Sequence, residues 1–410
     1  MNPSIVMKKT LFFVALTLCF SCKKEPSATL KIGTWRGELQ VNDQEPLPFN
    51  FEVTSANSLK LFNADEVIFV DDITYKNDSV LIKMPNYDSH YLSAKLSDGV
   101  LSGIFTEVNR GILMPFKAEF GIKDRFTIDK APAHNVSGKW EAIFNEGIPE
   151  DEHIDMGIFE QKGSIVTGTF RTLTGDYRYL EGVLNGDQLK LSAFDGSHVY
   201  LITATVTDST MEGIRYLGNY AQEPFKAKRN EAFELADPET LTLLKEGYDT
   251  LEFLFPDTSG QMVSLSDERF KDKVVVVQLM GSWCSNCLDE TKYYTEYYKN
   301  HQDEALEFVA LAFEFAKTKE KAFKSMERLK TSVGIEYPVL LAQFGTVNKE
   351  EAQKKLPMLK SVVSYPTTIF IDKKGKVRKT HTGFNGPATG DKYFTFKAEF
   401  EGFVEMLLEE

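Results

Sequence analysis

The chain has 410 residues, room for two to four domains at roughly 100 to 200 residues each. Hydrophobic residues make up 42% and charged residues 26%, with 27 Gly and 15 Pro, an ordinary globular composition that excludes a disordered or collagen-like chain. Asp and Glu outnumber Lys and Arg 60 to 47, the net charge is -13, and no basic block could follow a phosphate backbone, which argues against nucleic acid as a partner.

The first 21 residues have the layout of a signal peptide: Lys8 and Lys9, an apolar run from Leu11 to Phe20, then Ser21-Cys22 and a polar stretch. The run is about ten residues where a membrane-crossing helix needs about twenty, so a spanning anchor is not expected. The segment resembles a bacterial lipoprotein signal, with small Ser21 before Cys22, although Cys19 stands three before Cys22 where Leu is usual. That resemblance implies cleavage after residue 21, acylation of Cys22, a tether beginning at Lys23, and a protein held on membrane lipid in the bacterial envelope, facing the periplasm or exterior. Ordinary secretory cleavage is the alternative.

Two stretches of the next 200 residues echo one another. GTWRGELQ from Gly33 matches SGKWEAIF from Ser137, residues 77–105 align with 186–216, and MPFKAEF from Met114 matches EPFKAKR from Glu223. The offsets, 105 at Trp35/Trp140 and 109 at Phe116/Phe225, keep the order, the mark of an internal duplication. Apolar residues alternate in each copy, as at Val80, Ile82 and Met84, and turn residues such as SDG and NGD break the runs. An all-β antiparallel domain of two repeats, 30–124 and 135–230, is expected, closed as a sandwich or as a barrel. His90 and His198 fall at matching places without a Cys or carboxylate cluster beside them, and are expected in surface or turn positions rather than as metal ligands.

From Ala232 the pattern changes. ADPETLTLLKEG has a Pro, early acidic residues and apolar residues at helical spacing, which predicts a linking helix over 231–247. Residues 248–410 then alternate strand and helix: KVVVVQLM (Lys273–Met280), a helix after Cys284, LEFVALAFEF (Leu306–Phe315), a charged helix, YPVLLA (Tyr337–Ala342), helical NKEEAQKKLPML, and TTIFID with a KKGK hairpin. This order predicts an α/β layer with parallel pairings and one antiparallel hairpin. Tyr293, Tyr294, Tyr297 and Tyr298 form a helical stripe expected to pack on the sheet.

Once the leader is removed and Cys22 is acylated, Cys284 and Cys287 of GSWCSNCLDE are the remaining pair. They stand directly after a strand and at the start of a helix, where unpaired N–H groups and the helix dipole favour a thiolate. Cys284 is the expected nucleophile, and Cys287, one turn deeper on the same face, the expected resolving thiol. A zinc site would need four ligands and no second pair is present. An inert disulfide would not require Trp283, the strand and the helix start around it. No cofactor beyond the Cys284–Cys287 redox pair is expected.

From about Tyr248 the chain resembles the thioredoxin fold, and within it the TlpA/ResA-like extracytoplasmic thiol-disulfide oxidoreductases, through LEFLFPDTSGQMVSLSD, KVVVVQLMGSWCSNC, GIEYPVLL and SYPTTIFIDKKGKV. The resemblance implies a cis peptide before Pro366, a substrate-contacting surface of Trp283, Tyr365 and Pro366, and Glu290 as a carboxylate that accepts the proton of Cys287. It also implies a disulfide-containing protein substrate, a thiol donor in the envelope membrane, and a role such as cytochrome c maturation. Ser285-Asn286 replaces the usual dipeptide, so the potential is not legible in the motif. A peroxiredoxin-like thiol peroxidase shares the fold but needs Thr or Ser three residues before its reactive cysteine, where this chain has Gly281. The remaining alternative is a β-domain binding module to which the thioredoxin-like part is an accessory.

Overall fold

The computed structural model describes residues 29–410 except 86–89, 109 and 303; the leader and Cys22 lie outside the described residues. The first β-unit is a nine-stranded antiparallel sheet from Gly33–Gln40 to Ile112–Phe120, in which the last strand returns to the first through Trp35↔Phe120 to Leu39↔Phe116. The sheet ends on two strands adjacent in the chain, Glu66–Val70 and Asp72–Lys76. The second unit, from Gly138–Phe144 to Ala221–Arg229, goes further: His153–Lys162 pairs with both Gly138–Phe144 and Ile165–Thr172, and the ring closes into a barrel. Closure gives every strand of the ring two neighbours and so removes its edges.

The duplication shows in the packing. Trp35 and Trp140 are both fully buried, and each indole N–H donates to the carbonyl four residues earlier, Lys31 and Val136, at 2.9 Å. The units share a core: Phe194, Val199 and Leu201 of the second pack among the buried residues of the first, with Phe194 4.6 Å from Phe49 and edge-on to Phe105. The buried guanidinium of Arg125, in the connector, donates to Phe62 and Ser192 carbonyls and so ties both units.

Two expectations fail here. His90 is buried, with Glu107 at 3.5 Å, rather than at the surface, because its strand turns this face inward; His198 is half-buried against Asp195. The segment 231–247 is no α-helix but one 3₁₀ turn, Pro238–Thr240, capped by Asp237. Its backbone is claimed by the C-terminal domain instead. Lys245 N–H donates to Met358, Lys360 N–H donates to Leu243, and Thr380 and Thr382 bond Thr242, so tertiary partners outcompete the local ladder.

The C-terminal domain has a five-stranded mixed sheet in the order Val339–Phe344, Leu306–Glu314, Val274–Met280, Thr367–Ile371, Val377–Thr382. The first three run parallel and the last two antiparallel, the expected α/β layer with its hairpin at Asp372–Lys376. Val274–Met280 is buried along its whole length, as a central strand covered on both faces must be. Helices α1 (Ser285–Asn300), α2 (Lys319–Val333), α3 (Lys349–Lys355) and α4 (Asp391–Glu409) cover it. Tyr293, Tyr294 and Tyr297 of α1 are buried against Phe308 and Phe400. Among the described residues no helix is long and apolar enough to cross a membrane.

Candidate active site

The central strand ends at Met280, and Gly281 allows the chain to turn with Trp283 folded back over it: a Cβ at Gly281 would meet the Trp283 indole at 2.3 Å. Cys284 is the N-cap of α1, and its sulfur accepts the Cys287 N–H at 3.1 Å. Serving as cap places the sulfur among the unpaired N–H groups of the helix start. Cys284 and Cys287 are joined as a disulfide, Cα–Cα 5.2 Å, with Cys284 9% exposed and Cys287 fully buried. Sulfur chemistry with the outside therefore has to begin at Cys284.

The Tyr365-Pro366 peptide is cis, and the Tyr365 carbonyl lies 3.7 Å from the Cys284 sulfur. Trp283 is held by its indole N–H donating to the Phe313 carbonyl at 2.8 Å, and packs edge-on to Tyr365 and Phe315. The sequence-predicted residues Trp283, Cys284, Tyr365 and Pro366 are thus brought together, although 81 residues separate Cys284 from Tyr365.

Glu290 is fully buried one turn beyond Cys287. Gln278 Nε2 donates to it at 2.8 Å and to the Cys287 carbonyl at 3.5 Å, while Thr368 and Tyr294 hydroxyls donate to its other oxygen at 3.1 and 3.2 Å. Burial outweighs these donors and pushes its carboxyl up to about 8, so it is mainly protonated at neutral pH. A second buried carboxyl, Glu314, accepts the Ser282 N–H at 2.8 Å and the Ser282 hydroxyl at 2.6 Å, and burial raises it to about 7. Sequence reading missed Glu314, Gln278 and Thr368. The signal for Glu314 was present: an acid inside the apolar run Leu306–Phe315 must be buried with partners.

The other omission is the β-region itself. Its segment Arg171–Arg178 lies on the redox motif: Asn286, between the cysteines, donates to the Asp176 carbonyl at 3.3 Å, and Arg178 donates to the Ser285 carbonyl at 3.4 Å. Arg178 also pairs with Asp289 at 2.6 Å, with Asp195 at 3.3 Å, and with Glu66. Among the described residues no group of three or more His, Cys, Asp or Glu is arranged to hold a metal ion.

Residues 247–380 match the model of the AhpC/TSA family. A thiol-disulfide oxidoreductase ResA of Bacillus subtilis is 29% identical over 140 residues, 34% of this chain and 69% of that protein. The thioredoxin-like protein YneN of the same species is 29% identical over 140 residues, covering 73% of its length. A ResA of Bacillus cereus is 30% identical over 142 residues, 35% of this chain and 70% of that protein. Among solved structures, a thiol:disulfide interchange protein of Chlorobium tepidum matches 40% of this chain and 98% of its own, at 20% identity and a TM-score of 0.30. With its bonded Cys284–Cys287 pair at the start of α1, this chain belongs to the thioredoxin-type thiol-disulfide oxidoreductases of the ResA family.

Proposed function

We propose that the protein works outside the cytoplasm, anchored to membrane lipid through Cys22, and reduces or exchanges disulfides of protein substrates at Cys284. The observation that carries the chemistry is the placement of Cys284 as helix cap with its bonded partner buried beneath it. In the reduced state the Cys284 thiolate attacks one sulfur of a substrate disulfide; the substrate S–S bond breaks and its second sulfur leaves as a thiolate. Cys287 then gives up its proton and attacks the Cys284 sulfur, which forms the Cys284–Cys287 disulfide and releases the substrate's remaining thiolate. Two electrons pass to the substrate.

Glu290 is the proposed acceptor of the Cys287 proton. Its support is that the oxidised protein holds a carboxyl there that favours the protonated form, as the product of that step must. Trp283, Tyr365 and Pro366 are proposed to receive the substrate chain. A thiol donor in the envelope membrane would return the pair to the dithiol state, and a role such as cytochrome c maturation fits that direction of flow.

The test is reduction of a model disulfide by the full chain. Cys284→Ser should abolish it, and Cys287→Ser should accumulate a mixed disulfide through Cys284. Retained turnover in Cys284→Ser would overturn the mechanism.

A further inference from the structure

Both β-units reach the redox motif, from its two sides. From the side of Trp283, Arg110 of the first unit lies 5.8 Å from the ring of Phe315, the residue on which Trp283 packs, and 6.0 Å from Tyr220 of the second unit. From the side of Asn286, the second unit lays Thr174–Arg178 on the loop that follows the last sheet strand. Gly386 N–H donates to Asp176 at 2.7 Å, Arg171 donates to Asn385 at 2.9 Å, and the Thr174 backbone comes so close to Gly383 that a Cβ there would meet it at 2.6 Å. Gly383 in turn donates its N–H to the Pro366 carbonyl at 2.8 Å, so this segment abuts a loop that is hydrogen-bonded to the proline of the cis peptide.

We infer that the two β-units wall the disulfide into a slot, and that Arg110 on one side and Thr174–Arg178 on the other are the specificity-determining elements. The slot admits a disulfide carried on a narrow, locally extended stretch of chain and turns away one lying on the face of a folded protein. This inference rests on the disulfide-exchange reading above and adds the steric rule by which substrates are chosen.

Three observations support it. Cys284 keeps only 9% of its surface although it is the sulfur through which exchange must start, and Pro366 and Tyr365 are buried as well. The walls are fixed rather than draped: Gly175 and Asp176 are themselves buried, and Arg178 is fastened to both the first unit and α1. Each wall is also braced by an arginine that touches all three parts of the molecule, Arg110 through Glu107, Tyr220 and Phe315, and Arg178 through Glu66, Asp195 and Asp289. A flexible spacer would need none of this.

The experiment compares kcat/KM of the full-length reduced protein for two short linear peptides joined by one disulfide with that for native insulin. Two variants loosen the walls separately: Asp176→Ala cuts the bond to Gly386, and Arg110→Ala removes the part-exposed side chain that reaches Glu107, Tyr220 and Phe315. Each should shift the insulin-to-peptide ratio toward insulin by about tenfold, the scale on which a steric fit discriminates. A ratio within about twofold of wild type in Arg110→Ala and in folded Asp176→Ala, with peptide turnover still dependent on Cys284, would overturn the slot alone. Peptide turnover that persists in Cys284→Ser would instead overturn the exchange mechanism on which the slot rests.

Discussion

Arg178, in the second β-unit, pairs at 2.6 Å with Asp289, two residues past Cys287 in the helix that bears the disulfide. The same guanidinium meets Glu66 of the first unit and Asp195 of its own, so one buried cation is shared by three carboxylates from three parts of the chain. The first turn of α1 is therefore fastened to the β-region through charge, beyond the contacts of its backbone.

Removing that cation would leave Glu66, Asp195 and Asp289 facing one another with little solvent. Arg178→Ala should destabilise the protein by about 3 to 5 kcal/mol, the usual cost of stranding one side of a buried pair, read as a lowered midpoint in urea. Arg178→Lys keeps the charge but loses the planar fork that reaches several partners, and should recover only part of the loss.

The buried Glu290 carboxyl makes stability depend on pH. It is pushed from an ordinary 4.5 up to about 8, so between those values the folded chain holds a proton that the unfolded chain has released. Its contribution is complete below about pH 4.5 and is lost as pH rises through about 8. The oxidised protein should therefore lose stability from acid to mildly alkaline pH, and Glu290→Gln should flatten that slope when denaturation midpoints are compared across the range.

Glu290→Gln should also slow the step in which Cys287 resolves the mixed disulfide, by about a hundredfold, while alkylation of Cys284 by iodoacetamide keeps its wild-type rate. Rapid-quench trapping of the mixed disulfide separates the two. Equal resolution rates in variant and wild type would remove Glu290 from the proton path.

Ser282 supplies both donors to the buried Glu314, one from its backbone and one from its hydroxyl. Ser282→Ala deletes the second and should cost about 1 to 3 kcal/mol, the penalty for a buried acceptor left short of a partner. The loss should grow above pH 7, where Glu314 ionises, as measured by thermal denaturation at two pH values.

Acylation is tested directly. Cells fed an alkyne-bearing fatty acid should label the wild-type chain, and Cys22→Ala should lose the label and leave the membrane fraction.

The thioredoxin-type domain was legible in the sequence because its signals are local. A buried-type strand, a CxxC at a helix start and a Tyr-Pro before another strand each follow from neighbours in the chain, and their order implies the layer. The duplication was legible for the same reason: alternation of period two and paired tryptophans repeat in register. Closure of the second barrel was not, since the ring needs Gly138–Phe144 to meet Ala221–Arg229 from the far end of the unit, as in Trp140↔Arg229. The 3₁₀ turn in place of a linking helix shows the same limit, because the partners of Thr242 and Leu243 lie more than a hundred residues away. So does the environment of the active site. The sequence by itself determined the redox pair and its helix, since the spacing of Cys284 and Cys287 puts both on one face, while the acid beneath them followed from the family resemblance. Only the tertiary structure decided that Arg110, Asp176 and Arg178 flank that pair, because side chains hundreds of ångströms of chain apart are brought together by burial and charge pairing, which leave no periodic trace in the sequence.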